Sequence, residues 1–294
     1  MMIELASTTR YLRTLLILGR VSNLPTVWSN CLAGWLLGGE SNLSRLVLVA
    51  TGATFLYSGG MYLNDAVDAQ FDQQHRPERP IPSGAIRAGV VWTWGWTWLV
   101  LGFFCLCLLG KTTAFLGLLL LISILIYDAI HKIFAFSPIF MAACRFFLIL
   151  VAASAADGGI GGGSSLSLWS AIVLAAYVVG LSYLARREST GATVRYWPCL
   201  LLGTPVVFAL LVNQDGFRRQ GIVLSGILLL WVMAALRHAF WAPQPNIGRS
   251  VSALLAGIVL VDLTAVGAGG LSICMMFICL FLLALVFQRF VPAT

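Results

Sequence analysis

Charge is scarce in this chain, and its scarcity defines the class of protein. Only 10% of the 294 residues are charged, whereas 60% are hydrophobic. A folded chain of this length with so little polar surface has too few polar residues to cover itself in water. The composition therefore excludes a soluble globular protein and predicts a polytopic membrane protein, in which lipid replaces water around apolar helices.

Paired cysteines and basic tracts are lacking as well. The seven cysteines are odd in number and all fall in apolar runs, so we expect neither a disulfide framework nor a zinc site. No Lys/Arg tract accompanies the net charge of +7, so we predict no nucleic-acid partner. No cleavage-site pattern follows the first apolar stretch, which we expect to remain in the membrane. With no low-complexity tail or separate domain evident, we expect one transmembrane domain over residues 1–294.

Apolar runs recur from one end of the chain to the other. Most are long enough for a helix to cross a hydrocarbon core of roughly 30 Å, where helices satisfy their own backbone hydrogen bonds. The pattern predicts an all-α transmembrane bundle of nine or ten helices, because the run at 196–213 is short and contains Pro198 and Pro205. The ten candidate spans are 21–39, 44–63, 89–109, 112–130, 137–156, 166–185, 196–213, 220–240, 250–268 and 271–288.

The positions of Lys and Arg predict the orientation of these spans. If the N-terminus is cytosolic, thirteen Lys and Arg residues lie in the loops on that side and four on the opposite side. Cytosolic loops of membrane proteins carry such an excess. We therefore expect a multi-pass protein of the cell inner membrane. The loop after the second span and the ends of the fourth and sixth spans then share the cytosolic face.

The few acidic residues are concentrated after the second span. Four of the eleven fall between Asp65 and Glu78, in the stretch "YLNDAVDAQFDQQHRPERPIPSG". On a helix, Asp65, Asp68 and Asp72 share one stripe, with Asn64 one turn before Asp68. Like charges at this spacing repel, and a carboxylate near the membrane core needs a partner.

Two interpretations of this acidic stripe remain open at the level of the residues. Oxygen ligands of this kind suit Mg²⁺, which commonly binds through one or two carboxylates plus the oxygens of a phosphate ligand. Arg76 and Arg79 would then meet the remaining phosphate charge through forked hydrogen bonds. Alternatively, the stripe is a solvated helix end that is paired internally with the same two arginines.

The stretch "NDAVDAQFDQQHRPERPIPSG" resembles the first aspartate-rich signature of the UbiA superfamily of intramembrane prenyltransferases, NDxxDxxxD followed by RPxRPxxSG. The resemblance implies a nine-helix bundle with a lipid-open central cavity. It implies a prenyltransferase that binds an isoprenyl diphosphate through Mg²⁺ and passes the isoprenyl group to an aromatic or lipid-alcohol acceptor, which stays unidentified. Asn64, Asp65, Asp68 and Asp72 would hold the metal, and the three aspartates would be catalytic. "RVSNLPT" resembles a further family element, RPxN, and this nominates Asn23 and, more weakly, Arg20 for the diphosphate side.

The chain departs from the family pattern at two places. A second acidic motif, DxxxD, is expected near residues 185–192, but the chain reads "YLARRESTG", so Glu188 is the only acid there. Either Arg186 or Arg187 contacts phosphate directly in place of the missing acids, or the two form a basic helix end of the kind common on the cytosolic side. A YPxxKR-like element is replaced by "YDAIHK". Both changes resemble an EboC-type branch of the superfamily.

Within "YDAIHK", the resemblance assigns Tyr127 to the diphosphate side and Lys132 to catalysis. Asp128 either helps to bind the diphosphate–metal complex or pairs with Lys132 at i+4, whereas His131 is expected to be a polar helix end. Arg145 falls inside an apolar span, where a lone cation is costly, so we expect it to reach a phosphate or Asp128. Asp262 is expected to make a polar packing contact.

Two other functions compete with prenyl transfer. A cytidine-diphosphate-alcohol phosphotransferase also carries aspartates spaced by three and four, but its DGxxAR element is missing before Asp68. A non-catalytic carrier or scaffold for prenyl phosphates would explain the missing DxxxD motif. Release of pyrophosphate distinguishes the enzyme from the carrier.

Overall fold

Helices account for the regular secondary structure in every described part of the chain. The computed structural model describes residues 11–40, 42–160, 165–190, 196–213, 218–267 and 270–293, with the side chains of 187–190 left out. The helices are α1 (11–18), α2 (Leu24–Leu37), α3 (Leu43–Val67), α4 (Ala69–His75), α5 (Ala88–Cys107), α6 (Lys111–Ile130), α7 (Pro138–Ser154), α8 (Leu166–Thr190), α9 (Trp197–Leu202), α10 (Thr204–Val212), α11 (Arg218–Phe240), α12 (Ile247–Ala265) and α13 (Leu271–Phe290). A 3₁₀ turn, Val21–Asn23, precedes α2.

Seven of these helices are long and apolar enough to cross a membrane, namely α3, α5, α6, α8, α11, α12 and α13. Pro138–Ser154 and Trp197–Val212 are shorter apolar segments. The first predicted span is also shorter than expected, because α2 has only 14 residues. The prediction of an all-α membrane bundle is therefore confirmed, although its helices are less uniform in length than the apolar runs suggested.

The short run at 196–213 is divided into α9 and α10 at Gly203. Pro205 has no N–H to donate to the carbonyl of Leu201, four residues earlier, and the hydroxyl of Thr204 donates to that oxygen instead, at 2.8 Å. An unpaired carbonyl in an apolar environment costs several kcal/mol, so this replacement reduces the cost of breaking the helix within an apolar segment.

Glycines bring α3 and α5 into backbone contact. A Cβ atom at Gly59 would lie 2.9 Å from the carbonyl oxygen of Gly95, and one at Gly102 would lie 2.8 Å from that of Gly52. Small residues at a membrane helix interface allow this close approach, which strengthens van der Waals packing where lipid removes the hydrophobic driving force. The contact fixes the axis of α3, whose last turn carries Asp65, the first residue of the acidic stripe.

A polar cluster lies inside the bundle between α2, α7 and α12. Arg145 Nη1 donates to Asn30 Oδ1 at 2.7 Å, and Asn30 Nδ2 donates to Asp262 Oδ2 at 2.7 Å. Ser29 also donates to Asp262, and Arg145 donates to the carbonyl and hydroxyl oxygens of Thr26. The cluster pairs one buried cation with one buried anion through an amide, as a low-dielectric interior requires.

Candidate active site

The acidic stripe lies where α3 passes into α4. Asp68 terminates α3 and starts α4 with φ −76° and ψ −7°, close to helical values, so the two helices continue in nearly the same direction. The amide of Asp72 donates to Asp68 O at 2.9 Å across this junction. As a result Asp65, Asp68 and Asp72 stay on one face, and each is buried, with no more than 6% of its surface exposed.

Two arginines approach the first part of the stripe. Arg79 Nη1 donates to Asp65 Oδ1 at 2.9 Å and to Asp72 Oδ2 at 3.3 Å, which links carboxylates seven residues apart. Arg20 Nη2 lies 3.4 Å from the same oxygen of Asp65 and 3.5 Å from Asn64 Oδ1. Arg20 adopts a left-handed backbone conformation, with φ 41°, and its carbonyl accepts from the hydroxyl of Tyr57.

The end of α6 supplies the cation for the second part of the stripe. Lys132 Nζ lies 2.9 Å from Asp68 Oδ1, 3.8 Å from Asp72 Oδ1 and 3.7 Å from the centre of the Phe71 ring. His131 Nε2 lies 3.2 Å from Asp68 Oδ2. Burial raises the pKa of Asp68, but His131 and Lys132 together outweigh burial and hold that pKa below its ordinary value.

Asp128 differs from the acids of the stripe because it forms no ion pair with a described residue. Its Oδ1 accepts from Asn64 Nδ2 at 3.2 Å, whereas its buried Oδ2 has no hydrogen-bond partner among the described residues. Lys132, one helical turn further on, pairs with Asp68 and Asp72 instead. The expected i+4 ion pair within α6 is therefore not formed, because the ammonium group is drawn to the two carboxylates of the facing helices.

The remaining predicted site residues lie at varying distances from the stripe. Arg76 is half-buried at the end of α4 and forms no ion pair with a residue that the structure describes. Tyr127 stacks against His131 with ring centres 5.2 Å apart. Asn23 donates through Nδ2 to Ala293 O at 3.0 Å, and its buried Oδ1 lacks a partner in the described part of the chain. Asn23 thus joins the C-terminal end to the start of α2.

On α8, Arg186 donates to Phe134 O at 2.6 Å and to Ser137 Oγ at 3.0 Å, so it braces the loop between α6 and α7. The side chains of Arg187 and Glu188 lie outside the described residues. Arg145 is directed into the buried cluster with Asn30 rather than to Asp128. The expected contact with Asp128 is therefore not formed. Arg145 is linked instead to another acid, Asp262, through the side-chain amide of Asn30.

Two residues of the site were missed or underrated by reasoning from sequence. His131 was expected to be a polar helix end, yet it contacts Asp68 across 63 positions of sequence. Arg20 was nominated only weakly, although it contacts Asp65. A local signal for Arg20 existed in its closeness to Asn23, but nothing near His131 in the sequence indicates a partner on another helix.

The oxygen atoms of Asn64, Asp65, Asp68 and Asp72 are chemically suited to Mg²⁺. In this structure the carboxylates are bridged by side-chain cations. Carboxylate and amide oxygens are ligands that Mg²⁺ accepts alongside phosphate oxygens. Among the residues described, no group of three or more His, Cys, Asp or Glu side chains is already arranged around one metal position. Arg79 and Lys132 lie between the acids instead. The unpartnered oxygen of Asp128 is the observation that most directly favours an added cation.

The fold and site define an all-helical membrane protein with a buried acidic cluster where α3 passes into α4. A family model described as the UbiA prenyltransferase family matches residues 22–292. This chain therefore belongs to the UbiA prenyltransferase family.

One curated relative and two solved structures illustrate this membership. A digeranylgeranylglyceryl phosphate synthase of Methanothrix thermoacetophila is 37% identical over 84 residues, which cover 27% of this chain and 32% of that protein. The chain thus matches about a third of that relative's length. The apo structure of a UbiA homologue from Aeropyrum pernix K1 has a TM-score of 0.67 at 16% identity, over 84% of this chain and 97% of that one. A UbiA homologue from Archaeoglobus fulgidus bound to GPP and Mg²⁺ has a TM-score of 0.59 at 12% identity, over 96% and 97%.

Proposed function

We propose that this chain is a membrane prenyltransferase that takes its isoprenyl group from a Mg²⁺-bound isoprenyl diphosphate. The observation that carries the proposal is the buried acidic stripe at the end of α3, with Arg79, Arg20 and Lys132 around it. An apolar chain has no structural need for this many charges at one point. A diphosphate head with its metal ion, joined to a lipid tail, matches both the charged site and the apolar bundle.

In the proposed reaction, the bond between the allylic carbon and the diphosphate oxygen breaks, and pyrophosphate leaves with the electron pair. When bound, Mg²⁺ neutralises the negative charge that develops on this leaving group. Arg79 and Lys132 add fixed positive charge on the same side. The apolar interior keeps water from the allylic cation, which the acceptor's nucleophilic atom then attacks as the acceptor loses a proton.

The proposed roles rest on the sequence pattern and on the contacts of the described residues. Asn64, Asp65, Asp68 and Asp72 hold the metal, and Arg20 joins the cations that face the phosphate oxygens. The predicted diphosphate-side roles are kept for Asn23, Arg76, Tyr127, Arg186, Arg187 and Glu188. We do not extend this role to Arg145, because all its observed bonds are to Thr26 and Asn30.

The acceptor is proposed as a class only. The Methanothrix thermoacetophila relative is named digeranylgeranylglyceryl phosphate synthase, which supports a lipid alcohol with a phosphate head as the first acceptor to test. The neighbour bound to GPP and Mg²⁺ supports the donor and the metal. We also propose that the site opens toward the cytosol, as the distribution of Lys and Arg predicts.

The test is release of pyrophosphate from labelled prenyl diphosphates by purified protein with Mg²⁺ and a membrane lipid extract. We expect release by the unchanged protein and loss of at least about a hundredfold for Asp68→Ala, since removing one electrostatic contact in an active site often costs that much. Asp157→Ala is the matched control, because this exposed aspartate follows α7, at the opposite end of the bundle. Magnesium-dependent binding without any release would support the carrier instead.

A further inference from the structure

Asp128 has an environment that its neighbours in the chain do not explain. The residue is only 4% exposed, yet one of its two carboxyl oxygens has no hydrogen-bond partner among the described residues. Buried polar groups are nearly always paired, so each exception requires a physical reason. A bound cation would be such a reason.

The cations around Asp128 are committed to other acids. Lys132 contacts Asp68 and Asp72, Arg20 contacts Asp65, and His131 Nε2 contacts Asp68. Within the described ranges, no side-chain cation comes within ion-pair distance of Asp128. The carboxyl group of Asp128 therefore lies beside the acidic stripe without a direct ion pair to a described residue.

The contact with Asn64 places Asp128 at the site rather than elsewhere in the bundle. Asn64 precedes Asp65 in the stripe, and its amide nitrogen donates to Asp128 Oδ1 at 3.2 Å. This single bond fixes the carboxyl group of α6 against the last turn of α3. A bare diphosphate would repel another carboxylate, so a phosphate ligand benefits from Asp128 only through a shared metal ion.

The end of α8 departs from the family's sequence pattern. The family pattern implies two acids on the sixth span, whereas this chain has only Glu188 there. Arg186, on the same helix end, donates to Phe134 and Ser137 of the loop that follows α6. The cytosolic end of α8 is thus tied to the segment that follows Asp128, in a position where the family would be expected to supply carboxylates.

Resting on the proposed function, we propose that Asp128 is a metal ligand that substitutes, from α6, for the acids absent from α8. Its unpartnered oxygen would coordinate a Mg²⁺ ion shared with the prenyl diphosphate, and Asn64 would orient the carboxyl group. The chain would then draw its acidic ligands from α6 as well as from the α3–α4 stripe, although its sequence contains only one aspartate-rich motif.

The experiment measures binding rather than turnover. Calorimetry with a non-hydrolysable prenyl thiolodiphosphate, repeated over a series of Mg²⁺ concentrations, gives the Mg²⁺ concentration for half-maximal binding. We expect Asp128→Asn to raise that concentration at least about tenfold, as changes to metal-ligating groups and their supports commonly do. Asp128→Glu, which keeps the carboxylate, should recover part of the loss, and Asp157→Asn should match the unchanged protein.

Thermal unfolding of the ligand-free protein provides the second readout. Asp128→Asn keeps an oxygen that can accept from Asn64 and removes a buried carboxyl group that forms no ion pair with a described residue, so its unfolding temperature should equal or exceed that of the unchanged protein. A variant that fails to fold, or that unfolds at a lower temperature, would show a structural role and overturn the inference.

The failures of the two proposals are distinguishable. Unchanged protein that binds the analogue equally well with and without Mg²⁺ would overturn the proposed function and this inference together. Magnesium-dependent binding that is the same in the unchanged protein and in Asp128→Asn would overturn the inference alone.

Discussion

Replacing Arg145 tests whether this buried residue binds substrate or stabilises the bundle. Its position within an apolar span suggested a phosphate contact, whereas its hydrogen bonds in the structure indicate a structural role. Its guanidinium makes three hydrogen bonds, to Thr26 O at 3.2 Å, to Thr26 Oγ1 at 3.0 Å and to Asn30 Oδ1 at 2.7 Å. Asn30 in turn bonds to Asp262. Replacing Arg145 by Met removes the cation and leaves the anion of this cluster buried.

The expected destabilisation follows from the loss of one charge of a buried pair, which typically costs about 3–5 kcal/mol. Asp262 keeps hydrogen bonds from Ser29 and Asn30 after the change, so the free energy of unfolding should fall by about 3 kcal/mol, at the lower end of that range. Adding Asp262→Asn removes the stranded anion. The double variant should therefore lose about 1–2 kcal/mol less than the sum of the two single variants.

Unfolding in mixed micelles measures these three differences, and calorimetry measures prenyl diphosphate binding by the same proteins. The double variant should bind within about threefold of the unchanged protein, a difference below 1 kcal/mol. Our reasoning would be refuted if Arg145→Met were as stable as the unchanged protein yet bound the diphosphate more than about tenfold more weakly. That combination would make Arg145 a phosphate ligand after all.

Two further outcomes follow from contacts seen at the site and in the bundle. Arg79→Ala should weaken Mg²⁺-dependent binding of a prenyl diphosphate by about ten- to a hundredfold in calorimetry. This is the loss expected for a charge-assisted contact of about 1.5–3 kcal/mol. Arg87→Ala, a change at an exposed arginine, should leave binding unchanged. Equal losses in both variants would mean that only overall charge matters. Gly59→Leu should prevent recovery of monodisperse protein after detergent extraction, because even its Cβ would lie 2.9 Å from the Gly95 carbonyl oxygen. Gly226→Ala should be tolerated, because a Cβ atom there would have no atom within 4 Å. Normal recovery of the Gly59 variant would contradict the close packing of α3 and α5.

Much of the fold was predictable because membrane helices follow local rules. Apolar runs near twenty residues long predicted the seven long helices, and the prolines at 198 and 205 marked the segment that divides into α9 and α10. The acidic stripe was also predictable, since three- and four-residue spacings place side chains on one helix face. The late start of α2 was not, because the residues before it, Ser22 and Asn23, donate to backbone carbonyls of Pro292 and Ala293, some 270 positions away.

Pairing between helices was the part that sequence reasoning could not supply. Lys132 had an acid four residues earlier in the chain, and local geometry favoured that partner, but the facing helices offered two carboxylates instead. His131 and Arg145 illustrate the same limit, since their partners lie 63 and 115 positions away. Choosing among several acids for one cation requires the relative positions of helices, which depend on packing that no single stretch encodes.

Calorimetric titration of the unchanged protein with a non-hydrolysable prenyl diphosphate, with Mg²⁺ and then with excess chelator, tests the central claim most directly. The claim is that the acidic stripe of Asp65, Asp68 and Asp72 binds a diphosphate through a divalent cation. We predict clear binding with Mg²⁺ that chelation abolishes. Binding of equal strength in both conditions, or no binding in either, would contradict it.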